Sequence, residues 1–522
     1  MKKPVASGFG RIVLAISLFV PSLAFAQALP NINSLSVRYN SLKTALKAEG
    51  ELKAQLDDVD KAIAAARAAG NTSEVRRQLA RGLTLVAKET WTPALDYRHS
   101  LVLRAERVVA DSSAPYTFRV EQIYRPATEL SLALTTKVAL LKRLPPVAGQ
   151  LPAAPVRVRE LGTFDGVSRD LRESPFAVEL DLASVEDGPY IIQAEVLDGT
   201  SSLGAATLSV YLNKGLDARL KALDTAAAAA PEAVRADVRY PGDVIRNVNR
   251  GRYELGLFNV ATELTKAEAV VASAKGGKDP FKGRTGDFER HYVLDGANEI
   301  MPYRVYVPKG YASAKPTPLV IALHGLGANE DSFFDSYSQL PPQLAEKHGF
   351  LMAAPLGYRS DGFYGSTIMG AGDAASRRRV EYSEKDVLDV LARMKAVYNV
   401  DESRIYLIGH SMGAIGTWAL AAKYPQIWAA LVPFSGVGNP ASAEQMKHIP
   451  QFVVHGDADN TVNVSGSRNM VAALKKAGAN VTYVEVAGGS HTDMVVPNLP
   501  QAFEFLAAQR KAVPATTQQQ KH

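Results

Sequence analysis

Ser411 lies in Gly409-His410-Ser411-Met412-Gly413, between an apolar run, Ile405-Tyr406-Leu407-Ile408, and a helix-like run from Ala414 to Lys423. A serine hydroxyl is a weak nucleophile at neutral pH. Chemistry at Ser411 therefore calls for a histidine to take its proton and a carboxylate to orient that histidine. A strand, a sharp turn and a helix would lift Oγ clear of a sheet, and the flanking glycines let the backbone cross itself without a Cβ clash. Three histidines follow in the body of the chain, His448, His455 and His491. Phe452-Val453-Val454-His455 reads as a buried strand whose end is structural. It opens into a loop with two candidate acids, Asp457 and Asp459, placed where open sheets keep their chemistry. Val481 to Val486 alternates like a strand and runs into Ala487-Gly488-Gly489-Ser490-His491. A histidine on so glycine-rich a loop can reach the serine, so His491 is the expected base. The Met412 backbone N–H, next after the nucleophile, is one expected oxyanion donor.

The elements that must position these groups are legible around them. Pro318 to Leu323 is an apolar run that reads as a buried strand ending in His324-Gly325-Leu326-Gly327. His324 reads as a structural loop histidine. Asp361-Gly362-Phe363-Tyr364-Gly365 follows a strand that ends at Pro355, and Trp418 lies seven residues past Ser411. Phe363, Tyr364 and Trp418 are the candidate substrate contacts, with core packing the competing reading for Trp418. There is no H-E-x-x-H, no Cys/His cluster and no P-loop, so no metal and no cofactor are expected. Gly436-Val437-Gly438-Asn439-Pro440-Ala441 fits a dinucleotide fingerprint formally, but Pro440 makes it a loop.

From about residue 286 to 510 the chain resembles α/β-hydrolases of the esterase branch, which includes polyhydroxybutyrate depolymerases, feruloyl and acetyl esterases and dienelactone-hydrolase-like enzymes. The matching pieces are Leu323-His324-Gly325, Asp401-Glu402-Ser403-Arg404-Ile405-Tyr406 leading into the serine motif, His455-Gly456-Asp457-Ala458-Asp459-Asn460-Thr461-Val462, and Ser490-His491. The resemblance implies the order Ser411, Asp459, His491. The family pattern H-G-x-x-D-x-x-V picks Asp459 over Asp457. The His-Gly loop implies the Leu326 N–H as the second oxyanion donor. The chain departs from the family at Gly413-Ala414, where many relatives carry a second glycine, and lacks the cysteine common after His-Gly in depolymerases and feruloyl esterases.

Met1 to Ala26 reads as a signal peptide: Lys2, Lys3 and Arg11, then a short apolar core, then Ala24-Phe25-Ala26. Cleavage there predicts a periplasmic or secreted protein starting near Gln27. It also removes three basic residues and no acidic ones, taking the formal net charge from +6 to +3. So mild a charge argues against a nucleic-acid partner, and the apolar core is too short for stable membrane insertion. The chain has no cysteine, so an exported fold would rest on core burial and not on disulfides. Its 522 residues imply several domains. Residues 27–98 read as helical, and 99–213 as a β-sandwich, loosely immunoglobulin-like, because period-two strands alternate with turns. Residues 214–275 return to helix, 276–286 is a glycine-rich linker, 287–510 is the α/β-hydrolase unit with a mostly parallel sheet, and 511–522 is a tail. The expected function is an exported serine hydrolase cleaving carboxylic esters, small or polymer-borne, through an acyl-enzyme. Two rivals stand beside it: a peptidase of the prolyl-oligopeptidase type, and a surface- or polysaccharide-binding protein with an inactive hydrolase unit.

Overall fold

The computed structural model describes residues 32–126, 128, 130, 134–144, 153–368 and 372–511. The signal-peptide reading and the tail beyond residue 511 lie outside them. The described chain starts with helices α1 (Ile32–Leu46), α2 (Gly50–Ala68), α3 (Thr72–Val86) and α4 (Pro93–Ser100). Leu42 to Ile63 reads in sequence as one apolar stripe, but the helix breaks between Leu46 and Gly50, where Lys47 (φ 48°) and Gly50 (φ 57°) turn left-handed. The N-caps follow side-chain chemistry. Asn71 accepts from the Glu74 N–H, and Thr92 accepts from the Leu95 N–H ahead of Pro93.

Eight strands follow: β1 (Leu101–Ala105), β2 (Val109–Ala110), β3 (Tyr116–Gln122), β4 (Leu134–Lys142), β5 (Val156–Val167), β6 (Phe176–Leu180), β7 (Gly188–Asp198) and β8 (Ser201–Leu212). They form a three-stranded antiparallel sheet, β1-β3-β6, and a five-stranded sheet, β2-β8-β7-β4-β5, whose short β2 runs parallel to β8. Alternation decides the faces: Tyr116, Phe118 and Val120 are buried while the residues between them are not. Helices α5 (Leu216–Ala229), α6 (Glu232–Asn249) and α7 (Val260–Ser273) then lead to the C-terminal sheet.

That sheet has strands β9 (Gly286–Leu294), β10 (Glu299–Val307), β11 (Thr317–Leu323), β12 (Leu351–Pro355), β13 (Val400–His410), β14 (Ala430–Phe434), β15 (Gln451–Gly456) and β16 (Val481–Val486), in spatial order β16-β15-β14-β13-β11-β12-β10-β9. From β12 to β16 every neighbouring pair is parallel, and β10 and β9 close one edge antiparallel. Helices α8 (Ser332–Asp335), α9 (Leu340–His348), α10 (Ala374–Val397), α11 (Met412–Lys423), α12 (Ser465–Lys476) and α13 (Val495–Ala507) complete the unit. All seven residues of β11 are buried, as a parallel strand covered on both faces requires. The sheet separates two apolar clusters. One holds Leu319, Ile321 and Leu407; the other holds Val320, Tyr406 and Phe503. The first continues without a break into the N-terminal half, through Val238, Tyr240 and Leu264, to Phe118 and Val210.

Candidate active site

The carboxyl ends of β13, β15 and β16 carry the candidate site. β13 ends at His410, and Ser411 follows at φ 58°, ψ −117°, a conformation unfavourable for a residue with a Cβ. Its N–H donates to Phe434 O at 2.9 Å, which holds the turn. Two glycines make the turn possible. A Cβ on Gly409 would stand 2.2 Å from Gly413 O, and one on Gly413 would stand 1.9 Å from Leu323 O. No side chain fits at either, so β11, β13 and α11 close up around Ser411.

Ser411, His491 and Asp459 are hydrogen-bonded in series. His491 Nε2 is 2.9 Å from Ser411 Oγ, and its Nδ1 is 2.6 Å from Asp459 Oδ2. Since the carboxylate can only accept, Nδ1 donates and Nε2 accepts from the serine hydroxyl. Asp459 Oδ1 accepts from the Thr461 and Val462 N–H groups at 2.8 and 2.9 Å. Burial opposes its charge, but hydrogen bonds from His455, His491 and the Val462 N–H hold its carboxyl far below the usual range. Asp457 sits elsewhere: it is exposed, and its Oδ1 accepts from the Gly488 N–H at 2.7 Å, tying down the loop that carries His491.

Two further histidines brace the site. His455 is fully buried, with Nε2 3.1 Å from Asp459 Oδ2 and 2.9 Å from Val462 O, and Nδ1 2.7 Å from Ser467 Oγ. His410 Nε2 donates to His491 O at 2.8 Å, and its Nδ1 accepts from Tyr337 O–H at 2.9 Å. Acceptance at Nδ1 needs a neutral ring. Burial, then the neighbouring His491, pushes His410 down to about 4. Ser435 Oγ donates to the same His491 carbonyl at 3.1 Å. Sequence reasoning missed the His410–Tyr337 brace. The only local signal was a histidine inside the serine motif; Tyr337 is 73 residues away.

The loop after β11 runs beside the serine: a Cβ on Gly325 would lie 3.5 Å from Ser411 Cβ. Among the described residues, neither the Leu326 N–H nor the Met412 N–H has a protein acceptor. His324 is buried, with Nε2 2.6 Å from Leu356 O and Nδ1 2.8 Å from Gly325 O, so it pins this loop to the end of β12. Of the candidate substrate contacts, Trp418 is 1% exposed and its Nε1 donates to Gln451 Oε1 at 2.9 Å, so it packs in the core. Tyr364 is fully buried, its ring wedged against Gly357 and Gly416, where a Cβ would come within 2.5 and 2.6 Å of it. It offers no open surface to a substrate. Phe363 alone keeps a half-buried face.

The one grouping of possible metal ligands among the described residues is remote from Ser411. Glu263, Glu289 and His291 bring ligand atoms within 4.8 Å of one another. Lys266 Nζ already bridges the two glutamates at 2.8 and 2.5 Å. Among the described residues, no helix is long and apolar enough to cross a membrane.

Residues 296–520 match a family described as "Putative esterase". A bifunctional acetylxylan esterase/xylanase of Neocallimastix patriciarum is 28% identical over 30% of this chain and 21% of its own. Feruloyl esterase B of Neurospora crassa is 33% identical over 26% of this chain and 44% of its own. The chain thus spans between a fifth and a half of the length of these relatives. A solved thermostable esterase aligns at 18% identity over 79% of this chain and 99% of its own, with a TM-score of 0.37. The family match and the feruloyl esterase relatives support the esterase branch of the α/β-hydrolase superfamily for the C-terminal unit.

Proposed function

We propose that this protein is an exported serine hydrolase of carboxylic esters. Ser411 attacks the ester carbonyl while His491 takes its proton, and Asp459 orients His491 and stabilises the imidazolium that forms. The Met412 and Leu326 N–H groups receive the developing oxyanion. His491 then protonates the leaving alcohol, and water, activated by the same histidine, releases the acid from the acyl-enzyme. The observation that carries this reading is the Asp459–His491–Ser411 series at 2.6 and 2.9 Å, with Ser411 held in a left-handed elbow. Feruloyl and acetyl esters on plant polymers are the substrates that the relatives' names suggest. Phe363 is the aromatic candidate left for the acyl pocket. The N-terminal sheets form a β-sandwich in this reading; in support, Phe118 and Val178 of one sheet and Ile192 and Leu208 of the other fall in one apolar cluster. Export rests on the sequence of Met1 to Ala26.

The test is a side-by-side assay of purified protein on p-nitrophenyl acetate, methyl ferulate and a prolyl p-nitroanilide. Ester turnover without anilide turnover is the expected result. Anilide turnover exceeding that of the esters would replace the esterase reading with a peptidase.

A further inference from the structure

Two clefts of about 940 and 840 Å³ adjoin one another: the first is walled wholly by the N-terminal half, and the second lies between that half and the C-terminal unit. They share Arg76, Tyr253 and Glu254 on their walls, so they form one continuous groove. The first runs between the N-terminal helices and β8. The second reaches the segment Tyr358 to Asp361, which backs the loop after β11. There the Gly327 N–H donates to Ser360 O at 2.8 Å, one residue past the expected oxyanion donor Leu326. The groove therefore leads from the N-terminal half to the back of the site.

Its charge is unbalanced. Seven arginines line the two clefts against four acids, with no lysine. Two of the acids are already engaged: Glu299 by Arg359 at 2.6 Å and Asp361 by Arg379 at 2.5 Å. Arg252 stands 3.8 Å from Glu299 with 54% of its side chain exposed. Arg378 is exposed and makes no ion pair among the described residues. Arginine's planar fork suits carboxylates better than a lysine point charge does. Aromatic rings stand beside these arginines: the Arg359 guanidinium lies 3.9 Å over the Tyr358 ring, and Tyr382 meets Tyr358 edge-on, at 62° and 5.0 Å between centroids. Both rings are half-buried, so each keeps some apolar surface that a sugar ring can meet. An excess of three positive charges along so long a groove is sparse beside the phosphate density of a nucleic acid.

We propose that this groove binds a carboxylate-bearing polysaccharide, with Arg252 and Arg378 pairing with its carboxylates, and so holds the esterase unit on acidic glycans that carry its esters. The last step rests on the esterase reading above; the binding does not. The test is binding of the full-length protein to polygalacturonate, which carries no ester to turn over, compared with dextran and a single-stranded DNA oligonucleotide at low and high salt. Polygalacturonate should bind and weaken with salt, dextran should not bind, and DNA should bind more weakly than polygalacturonate. Arg252→Glu/Arg378→Glu should weaken polygalacturonate binding at least about tenfold, and the milder Arg378→Gln should lie between it and wild type. Both positions are exposed, and thermal unfolding identical to wild type shows that the variants fold. No binding, equal binding of dextran, a preference for DNA, or wild-type affinity in the folded double variant would each overturn the proposal. Whether polygalacturonate binds is read independently of turnover on p-nitrophenyl acetate, so failure of one claim leaves the other standing.

Discussion

His491 and His291 each hold Nδ1 against an aspartate, yet they face different partners. His491 Nδ1 lies 2.6 Å from Asp459, and its Nε2 lies 2.9 Å from a serine hydroxyl. His291 Nδ1 lies 3.1 Å from Asp237 of α6, and its Nε2 faces the Glu289 carboxylate at 3.5 Å. The side chain of His491 is 18% exposed and sits on a loop; that of His291 is 6% exposed and sits on β9, its ring 4.0 Å from that of Tyr240. A histidine–aspartate pair is therefore not by itself a catalytic device. With a neutral hydroxyl at Nε2, it can take and return a proton. With a second carboxylate there, it becomes a fixed cation. Burial opposes charge on His291, but Glu289 and Asp237 win and raise it to about 9. The network joins β9 to α6 and α7, since Lys266 of α7 also pairs with Glu289.

Exchanging the aspartates separates the two pairs most sharply. Asp459→Asn should lower kcat on p-nitrophenyl acetate by about 10⁴-fold, because the amide supports the wrong tautomer of His491. Asp237→Asn should leave kcat within about threefold and lower Tm instead, since it removes a partner of a buried cation. Asp457→Asn should cost less in kcat than Asp459→Asn, because the Asp457 carboxylate accepts from the Gly488 N–H and not from His491. Steady-state kinetics and thermal unfolding on the three variants check this. A loss at Asp237 as large as at Asp459 would erase the distinction.

The smaller effect is on stability against pH. His291 is raised from 6.5 to about 9 in the fold, so its charged form is favoured there. The stability this contributes is full below about pH 6.5 and is lost as pH rises through about 9. Burial opposes charge on Glu289, but His291 and Lys266 hold it at about 2. Its contribution is present above about pH 4.5 and is lost as pH falls toward 2. Tm should therefore fall by roughly 2 °C between pH 6.5 and 9, and His291→Gln should flatten that slope. An unchanged slope in His291→Gln would assign the alkaline loss to other groups.

The two histidine systems also differ in how far the sequence revealed them. Ser411, Asp459 and His491 each stand in a short local pattern: a glycine-flanked turn, an acid after a buried strand, a glycine-rich loop after the last strand. Such patterns survive without knowledge of the tertiary fold. The mostly parallel sheet was legible for the same reason, since Pro318 to Leu323 of β11, Ile405 to Ile408 of β13 and Phe452 to Val454 of β15 are apolar runs. Asp237, Lys266 and His291 carry no local signature. They meet only because α6 and α7 pack on β9, across residues that read as a linker. Tyr337 and His410 were hidden for the same reason. Trp418 and Tyr364 show the converse, since an aromatic near a reactive serine in sequence can point into the core. The break between α1 and α2 was missed because the apolar spacing continues across it.

Covalent labelling reports whether Ser411 is the nucleophile of this protein. Wild-type protein and Ser411→Ala should each be treated with a fluorophosphonate, then analysed by intact mass and peptide mapping. A single adduct on Ser411 is expected in wild type, in parallel with loss of turnover on p-nitrophenyl acetate, and no adduct in Ser411→Ala. An adduct on another residue that tracks the loss of turnover, or a folded Ser411→Ala variant that keeps near-wild-type turnover, would contradict that expectation.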